Sequence, residues 1–155
     1  MSPLLRTLLA GTIAGIRAAS ATAAVSYDAV RNGRDLGGTL FSPLAVPELS
    51  LLLRLAAAGE MIADKLPFLG NRTDPLSLLG RATSGALCGA AIFAEDDEPV
   101  LAGAALGTLT AVVSTHASFR FRRALSQRLH LPNPIAGLVG DATAVGLGLL
   151  LSRER

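Results

Sequence analysis

The sequence predicts an all-α fold, a polytopic transmembrane helix bundle of about five spans. Three observations carry this. Apolar residues make up 50% of the 155 residues and charged residues only 17%, with a mean hydropathy of +0.48. Soluble domains usually carry about 25% charge, so this chain has too little polar surface for its apolar content. Several apolar runs approach the roughly 20 residues that cross a bilayer. Proline, glycine and charge clusters separate those runs.

The first run, 7–27, lies between Arg6 and Asp28 and carries Arg17 near its centre. It also resembles a signal peptide, but an arginine in the apolar region argues against cleavage. Residues 31–42 are polar and glycine-rich and read as a loop. Pro43 and Pro47 open the second run, 48–66, which holds Arg54, Glu60 and Asp64 and stops before Pro67. Proline suits a first helical turn and ends a helix elsewhere. The Gly70, Asn71, Arg72 and Asp74 group is turn chemistry. The third run, 76–94, contains Arg81. Glu95, Asp96, Asp97 and Glu98 form an acidic loop.

The fourth run, 99–121, is the cleanest, with no Asp, Glu, Lys or Arg before Arg120. A soluble bundle helix would show a charged stripe every 3.6 residues, and this one does not. The basic stretch 120–130 extends the same helix. Pro132 and Pro134 start the fifth run, 134–152, interrupted only by Asp141. The whole chain, 1–155, reads as one integral membrane domain. A four-span variant, with 48–66 or 76–94 re-entrant, fits the same pattern.

Five spans place Arg6, Lys65, Arg72, Arg81, Arg120, Arg122, Arg123 and Arg128 on one side. Arg31, Arg34, Arg153, Arg155 and the acidic loop fall on the other. The side richer in Lys and Arg is cytoplasmic, so the N-terminus is expected inside.

Residues 9–27 and 101–119 match without gaps at Leu9/Leu101, Ala10/Ala102, Gly11/Gly103, Gly15/Gly107, Ala19/Ala111 and Ser26/Ser118. Three segments separate their starts, so helices 1–2 against 4–5 read as an inverted-topology repeat, a transporter trait. Two Ala/Gly-rich helices also match by composition alone. Gly11/Gly15, Gly85/Gly89 and Gly103/Gly107 have the spacing that lets helix backbones approach in lipid, either inside the bundle or between protomers.

The misplaced charges are the candidate site. Arg17, Glu60, Asp64, Lys65, Arg72, Arg81 and Asp141 lie in, or at the edges of, apolar segments. An ionised residue at mid-membrane costs roughly 2.5–3.5 kcal/mol unless paired or hydrated. Arg17 and Asp141 sit nearest the centres of their runs and are the expected buried pair. Glu60 and Asp64, four apart, share a helix face and suit a proton, a hard cation, or bonds from Arg72 or Arg81. The structural reading of the same charges is a salt-bridge network that fixes helix register.

Cofactors and metals are not expected. Cys88 is the one cysteine and His116 has no second ligand near it. Nucleophile elbows, zinc-protease and phosphate-loop motifs are absent, so an enzyme is not expected. Nucleic acid is not an expected partner, since aromatics are 4% with no Trp.

The series Gly59-Glu60-Met61-Ile62-Ala63-Asp64-Lys65-Leu66-Pro67, then Asn71-Arg72-Thr73, then Gly80-Arg81-Ala82-Thr83-Ser84-Gly85-Ala86 resembles an uncharacterised family of small bacterial membrane proteins. That family is catalogued only as a domain of unknown function. Gly15-Ile16-Arg17-Ala18-Ala19-Ser20 and the stretch from Pro132-Asn133-Pro134 to Asp141-Ala142 fit it as well. One departure is that the family tends to carry an acidic pair where this chain has Gly140-Asp141. The resemblance implies a multi-pass protein of the bacterial cytoplasmic membrane and no substrate. The leading expectation is a transporter- or channel-like homo-oligomer, a dimer, that handles a small ion or solute within the lipid bilayer. The alternative is a non-transporting scaffold or partner subunit.

Overall fold

The computed structural model describes residues 1–63, 75–129 and 133–153. Six α-helices account for most of them, and no strand occurs among the described residues. Ser2 caps α1, Pro3–Ile16, by accepting the Leu5 N–H, and Pro3 occupies the first turn. Arg17 is extended at φ −147° and ψ 111°, and α2, Ala18–Asn32, follows at once. Gly33, at φ 60°, closes α2 in the left-handed conformation that glycine takes without strain. A 3-10 turn, Ser42–Ala45, leads into α3, Pro47–Ala63. Next come α4, Pro75–Glu95, α5, Val100–Leu129, and α6, Asn133–Leu151.

The expected single helix over 7–27 is therefore two helices, and they form a hairpin. Arg6 Nη2 and Asp28 Oδ2 stand 3.0 Å apart. In a straight helix 22 residues would separate them by about 33 Å. Nothing local, neither proline nor a glycine turn, predicts a reversal at Arg17. The break persists because distant side chains satisfy the backbone groups it exposes, as described below. Residues 101–119, by contrast, form one uninterrupted stretch of α5. The two segments matched as a repeat are folded differently, so the match reflects shared Ala/Gly composition rather than a structural repeat.

The hairpin also moves Arg6. It was expected on the side opposite the acidic loop, yet its guanidinium binds Glu95. Arg6, the end of α2, the acidic loop and the end of α6 all lie at one end of the bundle. Asn32 Nδ2 donates to the Ser152 carbonyl at 3.3 Å, which places α6 there. The opposite end is where α3 and α5 finish and α4 and α6 begin.

The closest packing joins α1, α4 and α5. A Cβ on Gly85 or Gly107 would overlap the carbonyl oxygen of the other, and Gly89 and Gly103 are related in the same way. Gly11 and Gly15 meet Thr110, Ala111 and Ser114 of α5. All three glycine pairs thus serve packing within the chain. α2 lies against α3, and α6 covers α1 and α2. Among the described residues two helices, Pro75–Glu95 and Val100–Gln127, are long and apolar enough to cross a membrane; Pro3–Ile16 and Gly137–Leu151 are shorter apolar helices.

Candidate functional site

Arg17 stands at the hairpin tip, 1% exposed. Its Nε donates to Asp141 Oδ1 at 2.8 Å, and Nη2 reaches the same oxygen. This is the buried pair expected from the sequence. Asp141 comes from the first half of α6, so the pair ties the hairpin tip to a helix 124 residues away. Arg17 Nη1 also donates to the Glu60 carbonyl at 3.4 Å.

Glu60 enters through its side chain too. Its Oε2 accepts the Ala19 N–H of α2 at 2.8 Å. The first turn of a helix has unpaired N–H groups and a partial positive charge, and a carboxylate satisfies both. Arg17, the residue at the N-cap position, makes no side-chain cap bond there. Glu60 caps α2 from a different helix instead.

The Gly15 carbonyl, freed at the end of α1, and two neighbouring helical carbonyls accept from side chains of α4 and α5. Arg81 Nη1 donates to Gly15 O at 3.1 Å, and Thr115 Oγ1 lies 3.2 Å from the same oxygen. Ser84 Oγ donates to Ala18 O at 2.7 Å. Ser114 Oγ donates to Thr12 O at 2.8 Å. An unpaired peptide group in an apolar surround costs several kcal/mol, so the bonds to the Gly15 carbonyl and the Ala19 N–H make a one-residue reversal tenable.

Four predicted site residues therefore converge: Arg17, Glu60, Arg81 and Asp141. Arg81 donates to the hairpin backbone at Gly15. Asp64, Lys65 and Arg72 lie outside the described residues. His116 is exposed on α5, and no group of three potential metal ligands occurs among the described residues.

A second charged cluster sits at the other end of the hairpin, and sequence reasoning missed it. Arg6 Nη2 binds both Asp28 Oδ2, at 3.0 Å, and Glu95 Oε2, at 2.8 Å. Arg34 completes it, 3.3 Å from each of the same two carboxylates. Asn32 donates to Asp28 Oδ1 at 2.6 Å. The signal was the unbalanced acidic run 95–98, whose charge needs cations nearby.

A groove of about 370 Å³ runs between α1, α5 and α6 past the Arg17–Asp141 pair. Ile16 and Gly140, the residues preceding each partner, belong to its wall, whereas Arg17 and Asp141 do not.

A sequence profile described as "Domain of unknown function (DUF4126)" matches residues 4–152. No curated protein and no solved structure matches the chain.

Proposed function

We propose, for a chain that belongs to the DUF4126 family, an integral membrane protein whose hairpin delivers Arg17 to an ion- or solute-handling centre. In this reading α3 to α6 cross the bilayer, and α1 and α2 enter and leave it from one side. Support comes from where the large and small side chains lie. Among the described residues fifteen leucines are exposed and three are buried, while ten of the eighteen buried apolar residues are alanine. Water-soluble folds bury their large aliphatic side chains. Helices in lipid bring small residues together and turn large ones toward acyl chains. The polar residues complement this, since Arg6, Arg17, Asp28, Arg81 and Asp141 are all buried.

Orientation follows from the same geometry. With Arg6 moved beside the acidic loop, that end carries, among the described residues, Arg6, Arg31, Arg34 and Arg153. The other carries Arg81, Arg120, Arg122, Arg123 and Arg128. The richer end is cytoplasmic, so both termini face outward, in place of the inside N-terminus expected from five straight spans.

The observation that carries the functional reading is a helix interrupted at a buried arginine whose partners come from α3 and α6. Discontinuous helices at mid-depth form the ion and substrate sites of many transporters. Ionisable residues inside a membrane commonly mark such paths. Exchange of partners is the chemistry available here. A cation or proton takes Asp141 as Arg17 lets go, or an anion takes Arg17 as Asp141 lets go.

Purified protein in vesicles, with an imposed potential and an internal pH or ion dye, tests this. Asp141→Asn should reduce the flux about tenfold or more, equivalent to about 1.4 kcal/mol of lost site interaction. A second reading, a scaffold whose charges only hold helices together, is favoured by the closed Arg17–Asp141 pair, which the adjacent groove does not reach. Folded protein that passes neither protons, Na⁺, K⁺ nor Cl⁻ decides for the scaffold.

A further inference from the structure

The groove between α1, α5 and α6 has a chemistry of its own. Ile16, Phe121 and Val139 contribute apolar wall. Thr12, Ser114, Ser118 and Thr143 also line it, yet each commits its hydroxyl proton to a backbone carbonyl. Thr12 Oγ1 donates to Leu8 at 2.7 Å and Ser114 Oγ to Thr12 at 2.8 Å. Ser118 Oγ donates to Thr115 at 3.0 Å and Thr143 Oγ1 to Val139 at 2.7 Å. What faces the groove is mostly methyl and methylene. A polar solute would lose its bonds to water here and gain few in return.

One end differs. Arg122 lines the groove, and its guanidinium crosses to α6, where a Cβ on Gly137 would stand 3.3 Å from Nη2. Arg120 and Arg123 adjoin it in sequence. Ser114 and Arg122 are eight residues apart on α5, about 12 Å. The groove is thus an apolar trough with a cation at its foot.

We infer that this trough holds one acyl chain of an anionic phospholipid from the surrounding bilayer, with the lipid phosphate on Arg122. The inference rests on the membrane reading above. Charge complementarity selects the occupant: the apolar wall accepts any acyl chain, and Arg122 adds a preference for a negative headgroup. A basic side chain near anionic lipid contributes about 1 kcal/mol, which corresponds to about a fivefold preference.

The absence of tryptophan gives a clean test. Phe121→Trp places a single indole in the groove. The protein is reconstituted into phosphatidylcholine vesicles that contain a minor fraction of brominated phosphatidylglycerol or, separately, brominated phosphatidylcholine. Quenching by the brominated phosphatidylglycerol should be about fivefold more effective per molecule. Arg122→Gln on that background should make the two lipids equal, and Ala117→Leu, which narrows the trough, should weaken both. Native mass spectrometry of the unmodified protein should retain phosphatidylglycerol over phosphatidylcholine, so the result does not depend on the indole variant folding. Equal quenching in protein that floats with the vesicles overturns the inference and leaves the membrane reading standing. Protein that fails to float overturns both. Quenching by both lipids that falls as protein is concentrated in the vesicle assigns the groove to a second copy of the chain and overturns the lipid assignment.

Discussion

Replacing Asp141 by leucine should unfold the hairpin tip more than any other single change at the site. The substitution leaves the Arg17 guanidinium 1% exposed and facing leucine where its carboxylate stood. Arg17 also donates to the Glu60 carbonyl, a neutral acceptor, at 3.4 Å. Removing one partner of a buried ion pair typically costs about 3–5 kcal/mol. For a chain of this size each kcal/mol moves the melting temperature by about 2–4 °C, so Asp141→Leu should lower it by about 6–20 °C. Arg17→Met combined with Asp141→Leu removes both charges and should recover most of that loss. The assay is thermal unfolding of the four proteins in one detergent, read as a double-mutant cycle. Single variants that melt within about 2 °C of the parent, or a double variant no better than Asp141→Leu, would refute the account of Arg17 as a buried, paired charge.

Two further outcomes follow from the packing and the path of the chain. Gly107→Ala should cost about 1–3 kcal/mol, because its Cβ meets the Gly85 carbonyl, and Gly59→Ala, with nothing within 4 Å, should stabilise α3 slightly; the same melting series measures both. Cys88 is fully buried, so cysteines introduced at Ser2, Leu40 and Gln127 should report alone to a membrane-impermeant maleimide. On the proposed membrane topology, Ser2→Cys and Leu40→Cys should label from outside and Gln127→Cys only after permeabilisation, whereas the reverse pattern refutes that topology.

Some of this was legible before any coordinates. Arg17 and Asp141 could be paired from sequence because each is the charge nearest the centre of its apolar run, and one charge in such a place needs another. The glycine spacing likewise pointed to close helix contacts, and the structure locates all three pairs on the α1, α4 and α5 contact. The reversal at Arg17 was not legible. Hydropathy measures how apolar a stretch is, not which way the chain travels through it. The groups that stabilise the break, Arg81 and Thr115, lie 66 and 100 residues from the carbonyl they serve. With the first segment read as straight, Arg6 falls on the side opposite Glu95, which it in fact binds. The same error made 9–27 and 101–119 look like two copies of one helix.

The one-residue reversal has a consequence for how the protein is made. Synthesis delivers the N-terminal residues first and Asp141 much later. Through that interval Arg17 has no carboxylate from α6, and the Gly15 carbonyl has no donor until α4 emerges. The first helices to leave the ribosome are therefore unable to take their final shape on their own. Their final arrangement waits until the last helix arrives and closes the structure from the far end of the chain.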